Sequence, residues 1–463
     1  MPDNNDMNRR EFVKTTAAAS AAAAVTGTAM MKTATAANSR VRYGMIGTGS
    51  RGTYLLGHLR SIDAGQCVAI CDIEPAALER GAAAIRGNPQ KYKDYRELLD
   101  RKDIDAVFVI TPLNTHFQIT KDALLSGRHV FCEKCLVFKA QEVHALRQAM
   151  SQRPKQVLQV GLQRRYSYFY QMVKDMVDKG VLGDVRHVHA QWHRNAVNTP
   201  SMLWTMKPGG RSNVYNWRLF REFSGGLTAE LGSHQVDVSD WMLGSAPESV
   251  TGVGGLDTMK DGRDVYDNIQ LIYTYPNGKK LTYSAISTNQ FLPFFNATRS
   301  EMGEVIMGTD GAVEITVGDD DHPPIAWWYR EPPKNTKWMS AKTKMEPFVA
   351  GATMMSGSGA RGPIPLMTGD LALTGKEGFL ERETKYARRW LYAKGIFTQE
   401  ETRNPVDAEL ESFFANCRDL KRPRADAEIG LANSTAVILS NVAMEEGRRV
   451  YFSEFDKIPG DKS

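Results

Sequence analysis

The sequence predicts an α/β protein in which a parallel-sheet domain is followed by an α+β domain with a mostly antiparallel, open sheet. Between residues 41 and 163, short apolar runs alternate with amphipathic stretches, which is the pattern of β-α-β units. Beyond residue 163, long strand-like runs joined by a Pro-Asn-Gly turn indicate an antiparallel hairpin. A chain of 463 residues is also too long for one ordinary core, so two domains are expected.

Five apolar runs of the first region are predicted to be parallel strands. They lie at residues 41–46, 66–71, 106–110, 129–132 and 157–160. A helix is predicted from Asn114 to Ser126, because apolar residues recur there at helical spacing and Gly127 follows at the C′ position. These elements predict a first domain over residues 40–163.

The second region is predicted to span residues 164–455 and to bind the substrate. Its predicted helices lie at 168–179, 227–243, 407–420 and 427–446, and its predicted strands at 185–193, 268–275 and 280–286. Residues 318–395 are rich in Gly, Pro, Trp and Met without clear periodicity, and they are predicted to be an insertion of long loops.

Residues 1–36 are predicted to be an export signal rather than part of the fold. Arg9 and Arg10 precede a weakly apolar, alanine-rich run, and Ala34 and Ala36 supply the small residues that a signal peptidase requires. This pattern predicts twin-arginine export of the folded protein to the periplasm; a disordered alanine-rich tail is the alternative. No strongly apolar run of membrane-spanning length follows, so a soluble mature protein is expected.

Charge and cysteine usage exclude several classes of partner. The formal net charge is +5 and no long Lys/Arg block occurs, so neither nucleic acid nor a membrane surface is an expected partner. Cys132 and Cys135 have CxxC spacing, but they are interpreted as packing residues rather than a redox pair. No metal site is predicted, since His189 and His193 fall on a strand, where they do not converge as a helical pair would.

A G-x-G-x-x-G pattern, formed by Gly47, Gly49 and Gly52, follows the first predicted strand and opens a helix. In this context the glycines permit a tight turn, let the backbone approach a pyrophosphate, and let the helix pack on the strand. Ser50 and Arg51 lie inside the same turn and are predicted cofactor contacts. The pattern predicts a Rossmann domain that binds a dinucleotide.

Asp72 ends the second predicted strand, about 20 residues beyond the glycine turn. A carboxylate at this place accepts a hydrogen bond from a ribose 2′-hydroxyl and repels a 2′-phosphate. NAD is therefore the predicted cofactor, with NADP less favoured.

Polar residues follow the third and fourth predicted strands, where ligands of open α/β sheets bind. They are Thr111, Pro112, Asn114 and His116 after the third strand, and Glu133 and Lys134 after the fourth. All except Lys134 are predicted to contact the cofactor. Lys134 could stabilise the negative oxygen that develops as a carbinol loses hydride, although a solvated loop lysine is equally compatible with the residues alone.

The densest polar segment of the second region contains Glu230 and His234. On a helix over 227–243 these residues share one face, so the carboxylate could orient the imidazole. A neutral imidazole is the usual group for accepting a hydroxyl proton, so His234 is a candidate general base. His116, His189 and His193 are the competing bases.

Three further segments combine aromatic rings with arginine side chains. The candidate substrate contacts are Arg165, Tyr166, His193, Arg194, Trp217 and Arg218. Such residues can stack on and hydrogen-bond a sugar ring; the alternative for each is ordinary packing.

With these residues in place, the chain resembles the Gfo/Idh/MocA family over most of residues 41–317 and at the C-terminal helices. The matching motifs are the glycine turn, Thr111-Pro112 with His116, Glu133-Lys134, the Gly-Gly segment that leads to Glu230 and His234, and residues 308–315. The resemblance implies that Lys134 acts at the substrate hydroxyl and that His234 is the general acid/base. Glu230 stands where the family usually has Asp, and Cys135 stands where it usually has Pro.

The resemblance further implies an NAD-dependent oxidoreductase that acts on a carbinol of a sugar, polyol or glycoside, and it implies a homo-oligomer. The first alternative is a redox-neutral glycosidase that uses tightly bound NAD for transient oxidation. The second is a non-catalytic NAD or sugar sensor, against which the presence of both Lys134 and His234 argues.

Overall fold

The computed structural model describes residues 40–198, 200, 203–290, 302–316, 325–331, 363–367, 379–399, 401 and 403–457. The predicted export signal lies outside these residues. Within them, none of the helices combines the length and the apolar character needed to cross a bilayer.

The first domain is built on a parallel sheet with the strand order β3-β2-β1-β4-β5-β6. Its strands are β1 (Val41–Ile46), β2 (Gly65–Cys71), β3 (Gln90–Tyr92), β4 (Ala106–Val109), β5 (His129–Cys132) and β6 (Leu158–Val160). Its helices are α1 (Ser50–Leu59), α2 (Pro75–Ala84), α3 (Tyr95–Asp100), α4 (Leu113–Leu125) and α5 (Ala140–Ser151). The predicted parallel sheet is confirmed, whereas β3 was missed because this short edge strand is partly exposed and carries no apolar run.

The second domain is built on a mixed sheet with the order β14-β13-β12-β11-β7-β10-β9-β8-β15. Its strands are β7 (Val185–His193), β8 (Ser249–Gly255), β9 (Asn268–Thr274), β10 (Lys280–Ile286), β11 (Met302–Gly308), β12 (Gly311–Thr316), β13 (Ile325–Arg330), β14 (Ile364–Met367) and β15 (Val450–Tyr451). Among the described strands of this sheet, only the β7–β10 pair is parallel, so the prediction of a mostly antiparallel sheet is confirmed.

Five further α-helices occur in the described part of the chain beyond residue 163. They are α6 (Tyr168–Asp178), α7 (Ser233–Leu243), α8 (Phe379–Ala393), α9 (Pro405–Asp419) and α10 (Ala427–Glu446). The predicted helices at 168–179, 407–420 and 427–446 are confirmed within two residues at each end. The helix predicted at 227–243 has a different form, described with the site below.

The interpretation of residues 318–395 as long loops is wrong in part. β13 pairs with β12, β14 pairs with β13, and α8 also lies within this range. The ring of Trp328 on β13 lies 5.4 Å from that of Trp390 on α8. Pairing and packing partners stabilise these short elements, and neither leaves a periodic pattern in the local sequence.

Helix α9 packs on the first sheet although it lies near the end of the chain. Phe413 and Phe414 contact the rings of Tyr43, Phe108 and Phe131, with centroids 5.1–5.9 Å apart. These residues belong to one buried apolar cluster. The region predicted as the second domain therefore contributes a helix to the core of the first.

Candidate active site

The glycine turn between β1 and α1 has the shape of a phosphate cradle. Gly47 has φ +94°, and a Cβ added there would lie 2.3 Å from the Ile110 carbonyl oxygen. A Cβ on Gly52 would lie 2.1 Å from the Gly47 carbonyl oxygen, whereas a Cβ on Gly49 would meet open space. Gly49 also caps α1 without any side-chain hydrogen bond. The residues present therefore fit a pyrophosphate at the positive end of the helix.

Asp72 is anchored at the end of β2 by two backbone groups. Its Oδ2 accepts from the Thr48 amide at 2.7 Å, and its Oδ1 accepts from the Glu74 amide at 2.9 Å. Each carboxylate oxygen can accept more than one hydrogen bond, so Asp72 retains capacity for a ribose hydroxyl.

The Arg51 side chain extends from the glycine turn to the loop after β5, which carries Lys134. Its Nε donates to Glu133 Oε1 at 2.7 Å, and Glu133 Oε2 accepts from the Lys134 amide at 3.2 Å. Ser50 begins α1 and is exposed. The predicted cofactor contacts Arg51 and Glu133 are thus bonded to each other, and together they support the backbone at Lys134.

His116 connects the two loops at the carboxyl ends of β4 and β5. It is buried, and its Nδ1 and Nε2 lie 2.7 and 2.8 Å from the carbonyl oxygens of Cys135 and Thr111. Burial lowers its pKa, and the two carbonyls oppose that shift. Since both ring nitrogens are engaged by backbone oxygens, the geometry disfavours His116 as a base. Pro112 immediately precedes α4, within which the Asn114 amide donates to the Phe223 carbonyl of the second domain at 3.3 Å.

The ammonium group of Lys134 reaches across to the second domain. Its Nζ donates to the carbonyl oxygens of Ala229 at 3.0 Å and Glu230 at 2.8 Å. The peptide bond between Lys134 and Cys135 is cis. An ammonium group has three donors, so Lys134 keeps one proton for a third acceptor.

The helix expected at 227–243 begins as a π-helical turn, Thr228–Gly232, and continues as α7. The wider π pitch changes the spacing between Glu230 and His234 from that of a regular helix. Glu230 Oε2 accepts from Arg218 Nε at 2.9 Å, and no hydrogen bond joins Glu230 to His234 among the described residues. The expected carboxylate–imidazole pair is therefore replaced by a carboxylate–guanidinium pair.

Glu230 is a partly buried carboxylate between two cations. Burial raises its pKa, but Lys134 and Arg218 lower it more, and the net shift is downward. Glu230 is consequently charged at neutral pH and partly offsets the positive charge of its two neighbours.

His234 lies at the start of α7 with 8% of its surface exposed. Within the described part of the chain, neither ring nitrogen has a hydrogen-bond partner, and the ring of Trp192 lies 6.0 Å away. Burial, followed by the charges of Lys134, Arg164 and Arg51, holds the pKa of His234 well below its usual range. The imidazole is therefore neutral and free to accept a proton.

Trp217 and Arg218, two predicted substrate contacts, lie beside this group. The Arg218 guanidinium stacks 4.2 Å from the Trp217 ring centroid while it donates to Glu230. Trp217 packs against the small apolar cluster that includes Cys135 and Ala229. Both side chains thus border the residues that hold the Lys134 ammonium.

Arg165 and Tyr166 have structural partners instead. Arg165 Nε donates to the two oxygens of Asp237 at 2.8 and 3.0 Å, and this ion pair is buried. The Tyr166 hydroxyl accepts from the Ala425 amide at 3.3 Å in the core. These contacts do not support the predicted role of either residue in binding substrate.

His193 and Arg194 lie at the end of β7. His193 Nε2 lies 2.9 Å from Ser284 Oγ, and the Arg194 guanidinium lies 5.1 Å from the ring centroid of Trp192. Because the Trp192 ring also lies beside the His234 ring, Arg194 lies on the His234 side of the site.

The cysteines of the CxxC segment are buried and free. Cys132 Sγ lies 3.3 Å from the Glu133 carbonyl oxygen, and Cys135 Sγ lies 3.8 Å from that of Ala229. Burial raises the pKa of the Cys135 thiol to about 11. Protonated, buried thiols are poor nucleophiles and redox groups, which supports packing as their role. Among the described residues, no group of three or more potential ligands is arranged to hold a metal ion.

Two side chains that support the site were missed by sequence reasoning. Asn433 Nδ2 on α10 donates to the Ser233 carbonyl oxygen at 2.7 Å. Glu409 on α9 is fully buried near Arg51 and Glu133, and neither of its carboxylate oxygens has a hydrogen-bond partner within the described chain. No local signal could have identified these residues, because their partners lie elsewhere in the sequence.

Two family models match the chain in succession. The first, described as an oxidoreductase family with an NAD-binding Rossmann fold, matches residues 41–162. The second, the GFO/IDH/MocA C-terminal domain, matches residues 170–314. The first domain is accordingly an NAD-binding Rossmann domain.

Individual relatives share this organisation. An inositol 2-dehydrogenase from Rhizobium meliloti is 27% identical over 331 residues, which cover 67% of this chain and 88% of the relative. A glycosyl hydrolase family 109 protein from Shewanella amazonensis is 28% identical over 237 residues, 46% of this chain and 50% of the relative. The chain spans about half the length of several curated relatives that it matches.

Among solved structures, an aldose-aldose oxidoreductase from Caulobacter crescentus, complexed with glycerol, has the same fold. Its TM-score is 0.63 at 19% identity, and the match covers 89% of this chain and 99% of that one. At this identity the likeness establishes the fold alone.

Proposed function

The chain belongs to the Gfo/Idh/MocA family of oxidoreductases, and we propose that it oxidises a carbinol of a sugar, polyol or glycoside with NAD. One observation carries the proposal. The Lys134 ammonium is held by two carbonyl oxygens beside His234, a buried, neutral imidazole that has no hydrogen-bond partner among the described residues. A group that donates to an oxygen and a group that accepts its proton are the two that oxidation of a hydroxyl requires.

In this proposal His234 and Lys134 act on the same substrate oxygen. His234 accepts the hydroxyl proton, which its low pKa permits because the ring is unprotonated at neutral pH. The third N–H of the Lys134 ammonium donates a hydrogen bond to that oxygen and stabilises the developing negative charge. Glu230 positions this end of the site through Arg218 and its own backbone carbonyl.

Gly47, Gly49 and Gly52 would hold the pyrophosphate of NAD, and Asp72 would hold the ribose of its adenosine half. The chemistry that NAD supplies when bound is acceptance of a hydride from the substrate carbon. The Arg51–Glu133 pair supports the loop that would hold Lys134 beside the bound cofactor.

The names of the relatives support the substrate class. An inositol is a polyol and an aldose is a sugar, and both present carbinols to an oxidoreductase. Trp217 and Arg218 offer an aromatic face and fork donors of the kind that bind such rings.

A redox-neutral glycosidase is the second candidate, and the family 109 glycosyl hydrolase relative favours it. In that reaction, oxidation by bound NAD is transient and the hydride returns to the sugar, so no NADH accumulates. The same Lys134 and His234 would serve the oxidation step.

One experiment separates these candidates. Purified protein is incubated with a panel of sugars, polyols and glycosides while NADH absorbance and free sugar are followed together. Net NADH without glycoside cleavage supports the dehydrogenase, and free sugar without net NADH supports the glycosidase. Absence of both signals with every compound, in protein that binds NAD, would contradict catalysis of either kind.

We further propose that residues 1–36 direct twin-arginine export to the periplasm. Replacing Arg9 and Arg10 by Lys should leave the precursor in the cytoplasm, because the twin-arginine pathway reads that pair. Fractionation followed by immunoblotting measures the outcome, and export of the variant at the parental rate would contradict the proposal.

A further inference from the structure

A loop of the second domain, residues 207–219, is tied into one rigid unit by a buried amide. Asn216 Oδ1 accepts from the Lys207 amide at 2.8 Å, and its Nδ2 donates to the carbonyl oxygens of Lys207 and Gly210 at 2.9 and 2.8 Å. Asn216 is completely buried. The loop ends in a short 3-10 helix, Val214–Leu219. A loop closed by three hydrogen bonds to one buried side chain moves as a unit.

This 207–219 loop contacts both ends of the cofactor site. The Tyr215 hydroxyl donates to Glu74 Oε2 at 3.3 Å, which joins the second domain to the end of β2. Three residues later, Arg218 donates to Glu230 at 2.9 Å beside the Lys134 ammonium. The two anchors lie on one turn of the same 3-10 helix.

The first anchor lies next to the predicted adenosine site. The Glu74 amide donates to Asp72 Oδ1, so the residue that Tyr215 contacts is hydrogen-bonded to the ribose-binding carboxylate. Ile73, between them in the chain, is 67% exposed, and Tyr215 is 50% exposed. Large apolar side chains exposed on both sides of a contact offer surfaces on which a planar base can be buried.

We propose that the 207–219 loop is a cofactor clamp, in which Tyr215 closes the adenosine end against Glu74 while Arg218 closes the catalytic end against Glu230. This proposal rests on the proposed function, since it requires NAD in the cleft. Because one rigid unit carries both anchors, the loop cannot open over the adenosine without disturbing the catalytic end. NAD is therefore retained between catalytic cycles and leaves slowly.

The clamp is tested by the rate at which NADH leaves the protein. Protein loaded with NADH is mixed with excess NAD in a stopped-flow fluorimeter, and the fluorescence decay reports dissociation. Tyr215→Phe removes only the hydroxyl, so NADH should dissociate about 2- to 10-fold faster, the effect of losing one ordinary hydrogen bond. Tyr392→Phe is the matched control, because Tyr392 is an exposed tyrosine on α8.

A double-mutant cycle with Glu74→Ala separates a clamp from a general loss of structure. Glu74 precedes α2 and makes no side-chain capping bond, so its truncation leaves the helix start intact. If the pair acts as a clamp, Tyr215→Phe adds no further acceleration in the Glu74→Ala background. The melting temperatures of all variants should stay near that of the parent.

The possible failures are distinguishable. Parental protein that binds NADH, combined with a Tyr215→Phe variant that releases it at the parental rate, overturns the clamp alone. Fully additive effects of the two substitutions also overturn it. Parental protein that binds no NADH overturns both the clamp and the proposed function.

Discussion

The cofactor half of the site is built from backbone and one carboxylate, whereas the catalytic half is built from charged side chains that distant segments supply. In the first half, Gly47–Gly52 is one continuous segment whose backbone shape depends on the absence of a side chain at Gly47 and Gly52. In the second, Lys134 of the first domain meets Glu230 and His234 of the second. Substitutions in the first half should therefore change cofactor binding, and those in the second should change turnover while binding is kept.

The largest effect is expected from Lys134→Ala and His234→Ala. Each should lower single-turnover hydride transfer about 10²-fold or more, since each removes a group that the proposed function puts at the reacting oxygen. NAD affinity, measured by calorimetry, should stay near the parental value because neither residue belongs to the glycine turn.

Lys102→Ala and His144→Ala, both at exposed positions, are the matched controls for this pair. A variant at Lys134 or His234 that keeps more than about a third of the parental rate contradicts the role of that residue. His193 would then be the next candidate base, since the ring nitrogens of His116 already face carbonyl oxygens.

A smaller effect, on binding alone, is expected at Asp72. Asp72→Ala should narrow the preference for NAD over NADP by about 1–3 kcal/mol, because a charge-assisted hydrogen bond to the ribose is lost and the repulsion of a 2′-phosphate disappears. Calorimetric titration with both cofactors measures the change. Asp72→Asn keeps one acceptor oxygen where Asp72 offers two to the Thr48 and Glu74 amides. Its preference for NAD should lie between that of the parent and that of Asp72→Ala.

The exposed Asp63 supplies the control for this measurement, since Asp63→Ala should leave the preference unchanged. Tighter binding of NADP than of NAD by the parental protein would refute the role of Asp72.

The carboxylates Glu409 and Glu230, whose pKa values shift in opposite directions, allow the comparison to be tested through stability. Burial and the neighbouring Glu133 hold the pKa of Glu409 well above its usual range, against the opposing charge of Arg51, whereas Lys134 and Arg218 lower that of Glu230. The folded protein thus keeps a proton on Glu409 that the unfolded chain releases above about pH 4.5, so this residue lowers stability as pH rises.

Glu409→Gln removes that titration. The free energy of unfolding of the variant, relative to that of the parent, should increase from pH 5 to pH 8. The increase should be at most about 1.4 kcal/mol for each pH unit. Urea unfolding at both pH values measures the gain. Glu411→Gln, on the same helix but in an exposed ion pair, should show no such pH-dependent gain. An equal difference at both pH values would contradict a raised pKa for Glu409.

The smallest effect is a shift in the titration of His234. The positive charge of Lys134 contributes to its low pKa after burial, so Lys134→Met should raise that pKa while burial still keeps it below the usual range. Selective histidine labelling and NMR titration report the change, with Lys102→Met as the control. A titration of His234 that does not move would show that the two groups are not electrostatically coupled.

Much of the fold could be predicted because its signals are local. β1, β5, β7 and α10 follow from apolar runs and helical periodicity, and the structure places them where the sequence predicts them. The strands β13 and β14 could not be predicted in the same way, because pairing with a neighbouring strand defines them. Helix α9 itself was predicted, but the packing of its apolar face on the first sheet was not, because the sheet residues that it contacts lie far away in the sequence.

The candidate site divides along the same line. Sequence alone determined the glycine turn and Asp72, since a strand, a turn and a helix in succession dictate the local backbone. It also identified Lys134 and His234 as candidates by residue type and position. It assigned Arg165 and Tyr166 to the substrate, yet both are occupied by buried partners.

Only the tertiary structure decided which charged groups meet. In the π turn, Glu230 accepts a hydrogen bond from Arg218 and is not bonded to His234. Two carbonyl oxygens of the same turn accept from Lys134. These pairings depend on the relative position of two domains and on burial, which sets the charge of each group through its desolvation and its neighbours. Residue types and spacing contain neither distances nor burial. The sequence therefore names candidate reacting groups, while the fold determines their charge and their partners.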